Sequence, residues 1–393
     1  MVPGSGFSSG VLGLAGRTPG RAAAAPRSAE LRLSGAPLPL VSPARVYVCG
    51  ITPYDVTHLG HAATFIWADA AASVMRMVGV QAITCRNVTD VDDVLTSAAG
   101  ARGRRYDDVA AYQEYLFDQD MTALLVHRPA HEPRARHHVP QVLQLAAALL
   151  STGHAYEREG HVFFRGLGAL ERSGLTRTRA VELAAEYGDD PGDSLRDDPF
   201  DVPVWRPSPA EHPAWPSPWG WGRPGWHAEC AAMALAVHGA GVDVLIGGQD
   251  LAFPHHAYQS AMVEAATSVV PFARSAMHVG TVHHRGQKMA KSTGNLVLVT
   301  DLLHEHPASA IRMLLLDRVW HEPWEYRPAD LDAAAGRLED LYSAAARPDR
   351  SATAGAAITS ALLDNLDVPR AVAIARQEGG DAARGLLHTL SLS

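Results

Sequence analysis

The sequence predicts an α/β fold in which a parallel sheet covered by helices is followed by a helical C-terminal module. Three observations support this prediction. A strand, a helix and a strand follow one another from residue 44 to residue 93, and the same alternation returns after residue 225. From residue 295 to the end, apolar residues recur at helical spacing. Alternating strands and helices are typical of a parallel sheet covered by helices.

The first three elements form a predicted βαβ unit. ARVYVCG (44–50) is a β-branched and aromatic run that ends at a glycine, which predicts a short buried strand. A long apolar-periodic run beginning near Gly60 predicts a helix. QAITCRNVTDVDD predicts a second strand and an acidic turn. A unit of this length places its two strands parallel in one sheet.

The domain organisation follows from the pattern of the remaining chain. Residues 106–152 are predicted to be mainly helical, and residues 160–225, rich in Pro, Gly and Trp, are predicted to form loops and short elements. We therefore expect a disordered extension over 1–40 and a catalytic domain over 41–300 with an insertion at about 105–222. A helical domain is expected over 301–393.

Composition narrows the class of protein. The 393 residues carry a net charge of -8, which does not indicate a basic nucleic-acid footprint. Three cysteines argue against a disulfide framework and favour a reducing compartment, so we expect a cytoplasmic protein. No apolar run is long enough to predict a membrane span.

The segment THLGH (57–61) lies where the first strand gives way to the first helix. Beyond the carboxyl end of a parallel strand, His58 and His61 are placed to hold phosphates beside backbone N–H groups. Gly60 allows a nucleotide to approach the backbone closely. By itself the motif is weak, because a histidine pair on a helix is more often structural or metal-binding.

Two later segments add phosphate and ribose chemistry. In QKMAKSTGN (287–295), Lys288 and Lys291 lie in a loop of small residues suited to closing over a triphosphate, although an isolated K-x-x-K is more often a solvated turn. In GGQDLAFPHH (247–256), Asp250 follows a predicted strand, where a carboxylate can bind ribose hydroxyls.

The order of the three motifs resembles that of the class I aminoacyl-tRNA synthetases. Four segments narrow the resemblance to the cysteinyl group: YVCGITPYDVTHLGHA, NVTDVDD, RPGWHAECAAMA and FPHH. The resemblance implies a Rossmann-like (HUP) catalytic fold with an inserted connective region, and activation of cysteine by ATP with Mg²⁺. It also implies an ATP site made by Thr57, His58, Gly60, His61, Gly248, Asp250, Lys288, Met289 and Lys291.

The same resemblance implies one zinc ion bound by Cys49, Cys230 and His255. Two thiolates and an imidazole are good zinc ligands, and a fourth position left open suits a substrate thiolate. Their spacing alone is no metal signature, and on spacing alone buried core cysteines would be the better interpretation. Cysteinyl-tRNA synthetases usually carry Glu four residues after the zinc histidine, where this chain has Gln259.

Two groups share this machinery: the cysteinyl-tRNA synthetases, and the ligases of mycothiol biosynthesis that join cysteine to the amine of glucosaminyl-inositol. CGITPYDVTHLGHAAT and WPSPWGWGRPGWHAEC are similar to the ligases, and the chain ends about 100 residues after KMAKS, before the usual anticodon-binding region. The ligase is therefore the preferred interpretation, with AMP and pyrophosphate as products. The resemblance then implies that Thr52, Thr89 and Trp226 line the cysteine pocket.

Several points stay open at this stage. A tRNA synthetase, or a paralogue that ligates cysteine to another small amine, are the alternatives. Ala290 and Ala257 replace a usual Ser and a common Glu, and residues 160–205 match the ligases poorly. The acidic run Asp90, Asp92 and Asp93 either attracts a cationic amine or is a solvated loop. We expect a monomer or a homodimer.

Overall fold

The structure is a computed structural model that describes residues 30–54 and 56–393. Its strands are β1 (Glu30–Leu33), β2 (Ala36–Pro39), β3 (Ala44–Ile51), β4 (Ala82–Val88), β5 (Ala155–Arg158), β6 (His161–Phe164), β7 (Val202–Pro207), β8 (Gly222–Pro224), β9 (Val242–Gly248), β10 (Ala273–Val279), β11 (Val282–His284), β12 (Gln287–Lys288) and β13 (Trp324–Glu325). Its α-helices are α1 (Leu59–Met77), α2 (Asp93–Ala101), α3 (Tyr106–Ala123), α4 (Val139–Ser151), α5 (Leu167–Ser173), α6 (Arg177–Glu186), α7 (Trp226–His238), α8 (Ala257–Thr267), α9 (Val299–Glu305), α10 (Ala308–Leu316), α11 (Pro328–Ala345), α12 (Ala354–Leu363), α13 (Val368–Glu378) and α14 (Gly380–Thr389).

The central sheet has the strand order β10-β9-β3-β4, and all three pairings are parallel. The predicted α/β fold with a parallel sheet is thereby confirmed. The other described strands form three smaller sheets, β1-β2, β12-β11-β13 and β5-β6-β7-β8. Because the four parallel strands end at the same edge, the residues that follow them meet in one place.

Alternation along β3 explains how the sheet is covered on both faces. Val46 and Val48 belong to a core shared with α1 and the C-terminal helices. Tyr47 and Cys49 point the other way, into a core shared with α4, α7 and α8. Successive side chains of a strand face opposite sides, so the apolar run Val46–Cys49, which follows the exposed Arg45, is what a strand between two helical layers requires.

The inserted region is more regular than the sequence indicated. Residues 155–224 contain the antiparallel sheet β5-β6-β7-β8 together with α5 and α6, where loops and short elements were expected. Its strands are only three to six residues long. A proline-rich sequence shows no clear alternation of apolar and polar residues over so few positions. Trp205 and Phe163 are fully buried in its core.

The N-terminal prediction is wrong in part. A disordered extension was expected over 1–40, but β1 and β2 form an antiparallel hairpin from Glu30 to Pro39. Leu31, Leu33 and Leu38 are buried where the hairpin packs against β10 and α12. Residues 1–29 lie outside the described part of the chain. The domain boundaries at residues 41, 300 and 301 stay predictions.

Among the described residues, no helix has the length and apolar character needed to span a membrane.

Candidate active site

A cleft of about 360 Å³ opens where the strands of the central sheet end. Its walls include the last residues of β3 and β9 and the residues that follow β4 and β10. The structure brings all the predicted site residues to this one cleft. They are Cys49, Thr52, Thr57, His58, Gly60, His61, Thr89, Trp226, Cys230, Gly248, Asp250, His255, Lys288, Met289 and Lys291.

His58 is held in one orientation by the start of α1. It is the N-cap residue, and its Nδ1 accepts a hydrogen bond from the N–H of Gly60 at 3.1 Å. Burial, with the nearby His61 and Lys288 adding to it, lowers the pKa of His58 to about 3. The ring is therefore neutral, and because Nδ1 accepts, the proton lies on Nε2. His58 presents a hydrogen-bond donor without adding charge.

The neighbouring residues of α1 support this arrangement. The rings of His58 and His61 stack with centroids 3.8 Å apart. A Cβ on residue 60 would lie 2.9 Å from Cε1 of His58, so Gly60 is required for the capping pose itself. Gly60 therefore has a structural reason of its own, besides the close approach of a nucleotide that was expected from the sequence. The backbone of Thr57 accepts from the N–H of Val299, which joins the segment before α1 to the start of α9.

An ion pair lies on the opposite side of the cleft. Lys288 Nζ donates to Oδ2 of Asp250 at 2.7 Å. Burial alone would lower the pKa of Lys288, but the Asp250 carboxylate outweighs it and raises that pKa. A Cβ on Gly248 would lie 2.4 Å from Oδ1 of Asp250, so only glycine leaves room for this carboxylate. Lys291 lies 5.7 Å from the ring centroid of Tyr54, across the cleft mouth.

Asn295 organises the loop that carries both lysines. Its Oδ1 accepts from the N–H of Ala290 and from Thr293 Oγ1, at 2.9 and 2.6 Å. Its Nδ2 lies within 3.2 Å of the carbonyl oxygens of His284, Gln287 and Lys288. Asn295 is buried, so these bonds form away from water. One side chain therefore sets the path of the backbone from residue 284 to residue 295.

We expect Asn295→Ala to lower the maximal rate of nucleotide-dependent chemistry by about 10- to 100-fold, because a misplaced loop removes properly oriented charge. The conservative Asn295→Asp keeps the acceptor but loses both donors, and it should be affected nearly as strongly. A steady-state comparison of kcat and KM for ATP checks this. Unchanged kcat in both variants would show that the loop does not depend on Asn295.

A second part of the cleft is suited to a small amino acid. Thr52 Oγ1 and Thr89 Oγ1 are 2.7 Å apart, and Thr89 also donates to the carbonyl of Ile51. Trp226 is the first residue of α7, and its ring stacks on His255 with centroids 4.3 Å apart. Two hydroxyls and an aromatic ring thus line the same cleft, and their role in binding cysteine stays a prediction.

The floor of that pocket holds three potential metal ligands. One ligand atom each from Cys49, Cys230 and His255 lies within 4.8 Å of the others, and all three residues are buried. They come from the end of β3, from α7 and from the irregular turn Ala252–His256. Burial lowers the pKa of His255 well below its usual value, so its imidazole is neutral and able to bind a cation.

Neighbouring side chains orient these donors. Asn87 Nδ2 donates to Cys230 Sγ at 3.3 Å, and Cys49 Sγ lies 3.5 Å from Gln259 Oε1. Nδ1 of His227 lies 3.0 Å from Nδ1 of His255, which leaves Nε2 of His255 for a metal. Hydrogen bonds of this kind are the usual second set of contacts around a metal site.

Comparison with known proteins identifies the family. A sequence model described as the catalytic domain of tRNA synthetases class I (C) matches residues 41–336, well over half of the chain. The chain belongs to the class I aminoacyl-tRNA synthetase family. The structure of methionyl-tRNA synthetase from Mycobacterium tuberculosis with methionyl-adenylate agrees, with a TM-score of 0.63 and 18% identity over 90% of this chain and 89% of that one. At that identity the likeness shows the fold alone.

Sequence relatives narrow the position within the synthetase family. The L-cysteine:1D-myo-inositol 2-amino-2-deoxy-alpha-D-glucopyranoside ligase of Acidothermus cellulolyticus is 41% identical over 350 residues, covering 86% of each chain. The ligase of the same name from Thermobispora bispora is 38% identical and covers 94% of this chain and 98% of its own. Within the synthetase family, the chain belongs with these cysteine ligases.

The structure shows the surroundings of three residues that depart from the synthetase pattern. Gln259 is fully buried, and its Nε2 donates to the carbonyl of Cys230, so a neutral residue borders the candidate metal ligands. Ala257 is buried at the start of α8, within the core beside α7. Ala290 lines the cleft, and its hydrogen bonds are made by its backbone: its N–H donates to Asn295 and its carbonyl accepts from Thr293.

The acidic run was expected either to attract a cationic amine or to form a solvated loop, and neither expectation is correct for Asp90 and Asp93. Asp90 is completely buried and bonds Arg136, and Asp93 pairs with Arg206 and Arg223 from the inserted sheet. Asp92 accepts from the N–H of Val94 and caps α2. The three carboxylates therefore hold the segment after β4 to neighbouring residues. All three belong to the described part of the chain, and none of them lines the cleft.

The structure also adds residues that the sequence did not single out. Asn295 accepts a hydrogen bond from the backbone of the KMAKS loop at Ala290, and Tyr187 of the inserted region lines the cleft. Asn295 follows a glycine in a turn-like sequence, where an asparagine usually serves only the turn. No local pattern marks Tyr187, which lies in a stretch of charged residues.

Proposed function

We propose that this protein activates L-cysteine with ATP and joins it to the amine of glucosaminyl-inositol, releasing AMP and pyrophosphate. One observation carries the proposal. Two cysteines and a histidine converge on the floor of the same cleft whose rim holds the two phosphate motifs. The names of the relatives that are about 40% identical supply the acceptor amine.

Cys49, Cys230 and His255 would hold a zinc ion, and their chemistry fits one. Their number and type match catalytic zinc sites, which keep three protein ligands. Burial raises the pKa of the Cys230 thiol well above its usual value, so a nearby cation is what would make it a thiolate. A zinc ion held there would supply a Lewis acid that prefers a substrate thiolate to the harder hydroxyl of serine.

The remaining residues of the pocket orient the substrate. Thr52 and Thr89 offer hydroxyls to the amino-acid head group, and Trp226 covers it while packing on His255. A small pocket with one hydroxyl pair and one ring restricts the carboxylate to few orientations. Such positioning is a large part of catalysis when two substrates must meet.

At the nucleotide end, the chain's role is to hold phosphates and to neutralise charge. A carboxylate oxygen of cysteine attacks the α-phosphorus of ATP, which enters with Mg²⁺, and the bond to pyrophosphate breaks. His58 donates from Nε2, His61 lies beside it, and Lys288 and Lys291 neutralise the departing pyrophosphate. Asp250 serves the ribose hydroxyls. The acceptor amine then attacks the acyl carbon, AMP leaves, and the nitrogen loses a proton.

The choice of acceptor is tested directly. Incubation of the enzyme with ATP, cysteine and glucosaminyl-inositol should give a cysteinyl amide and stoichiometric AMP, measured by mass spectrometry. The same mixture with tRNA replacing the sugar amine should give no cysteinyl-tRNA. Transfer to tRNA alone would make the protein a tRNA synthetase, and transfer to neither would indicate another small amine.

Location and assembly complete the proposal. Buried free cysteines at the centre of the site favour the reducing cytoplasm. The protein is proposed to act there as a monomer or a homodimer.

A further inference from the structure

Within the described residues 155–224, which form the inserted sheet with α5 and α6, Tyr187 is the side chain that lines the cleft. Tyr187 follows α6 directly, and it lines the cleft at the side of Lys288 and Asp250. Helix α6 packs against the turn Ala252–His256, which immediately follows Asp250 and carries His255. The insertion is thereby anchored on the turn that links the nucleotide end of the cleft to the metal cluster.

The ring of Tyr187 faces the ammonium of Lys288. Nζ of Lys288 lies 5.8 Å from the centroid of the Tyr187 ring, within range of a cation–π interaction. Burial lowers the pKa of Lys288, but Asp250 and, to a lesser extent, the phenol of Tyr187 raise it above its usual value. The same ammonium donates to Asp250 at 2.7 Å, so it is held between a ring and a carboxylate.

The turn that presents Tyr187 is itself fastened. Two residues further on, Asp189 accepts two hydrogen bonds from the guanidinium of Arg196, at 2.7 and 2.9 Å. The Arg196 side chain is only 5% exposed, so this bidentate pair is shielded from water. Gly188, which lies between Tyr187 and Asp189, adopts a φ of 85° that glycine reaches without strain. The ring of Tyr187 therefore presents a surface of defined position.

We propose that Tyr187 is a positioning residue for adenylate formation: it holds the Lys288 ammonium at the nucleotide end of the cleft before the phosphates arrive. The inference rests on the function proposed above. A lysine side chain has several rotatable bonds, and ordering it during the reaction costs conformational entropy. Charge that is already in place needs no reorganisation as pyrophosphate leaves. The insertion thus contributes to the activation step through one contact with the KMAKS loop.

The test uses cysteine-dependent exchange of pyrophosphate into ATP. Tyr187→Phe keeps the ring and removes only the phenol oxygen, and its kcat should fall about twofold. Tyr187→Ala removes the whole ring, and its kcat should fall about 5- to 30-fold while KM for cysteine stays unchanged. Tyr112→Ala removes an exposed tyrosine of α3 that does not line the cleft, and it should behave as wild type.

A double-mutant cycle with Lys288→Met separates positioning from a structural role. If Tyr187 acts through Lys288, Tyr187→Ala should change the rate of the Lys288→Met enzyme by less than about twofold. The inference is wrong if the losses of rate from Tyr187→Ala and Lys288→Met multiply in the double variant. It is also wrong if both Tyr187 variants keep full activity. The Phe variant keeps the test valid if the Ala variant melts early. Wild-type enzyme without cysteine-dependent exchange would instead overturn the proposed function, and the inference with it.

Discussion

Cys230→Ala should abolish stoichiometric zinc binding and lower cysteine-dependent ATP–pyrophosphate exchange by more than about 100-fold, since two ligands do not replace a three-ligand site. Cys230 Sγ is one of three donors within 4.8 Å of one another, and the described residues offer no fourth His, Cys, Asp or Glu to that cluster. Metal analysis by mass spectrometry gives a readout that is independent of activity.

The matched control is Cys85→Ala. Cys85 is a completely buried free cysteine on the neighbouring strand β4, in the same core as Cys230 and outside the metal cluster. Its replacement removes a similar volume but no donor, so zinc content should stay near one per chain. Equal zinc loss in both variants would mean that packing, and not ligation, controls the metal. Exchange with serine as fast as with cysteine would refute the role assigned to zinc in selectivity.

The central fold was predictable because its elements are long and uniform. The apolar run of β3 and the periodic run of α1 each satisfy one pattern along their whole length, and both elements formed as predicted. The inserted sheet was not predictable because its strands are short and contain prolines. Its pairing with the rest of the protein depends on contacts such as Arg223 to Asp93, which are distant in sequence.

The site was predictable only through the order of its motifs. Cys49, Cys230 and His255 lie on three elements far apart in the chain, and no spacing rule relates them. The parallel sheet brings them together because β3 and β9 end at one edge. Resemblance supplied the ligands, whereas the side chains that hold the site in shape came from the structure. Asn295 and Tyr187 act on atoms of the KMAKS loop, and single-sequence patterns do not report such pairs.

Helix α1, which starts at His58, is anchored to the C-terminal helices by a buried ion pair. Arg312 of α10 is completely buried and donates to Asp69 of α1 at 2.8 Å. Its other nitrogens donate to the carbonyls of Leu390 and of Leu124, at 2.9 and 3.1 Å. The guanidinium therefore joins four separate segments, since Leu390 lies near the C-terminus and Leu124 follows α3.

We expect Arg312→Met to destabilise the protein by about 3 to 5 kcal/mol, because it removes the buried partner of Asp69 Oδ2, leaves Asp69 with only His127 and Arg76, and orphans two carbonyls. A loss of this size corresponds to a fall in Tm of about 5 °C for a chain of this length. Differential scanning calorimetry measures it. Arg370→Met, at an exposed arginine of α13, should stay within about 0.5 kcal/mol of wild type.

The double variant Asp69→Leu with Arg312→Met distinguishes an unpaired charge from lost packing. If the cost comes from the stranded carboxylate, removing it should recover more than half of the lost stability, since apolar pairs of similar volume often replace buried ion pairs. If the double variant is less stable than either single variant, the hydrogen bonds to Leu390 and Leu124 dominate instead. In both cases the position of His58 depends on α1, so loss of this anchor should also raise KM for ATP before the protein unfolds.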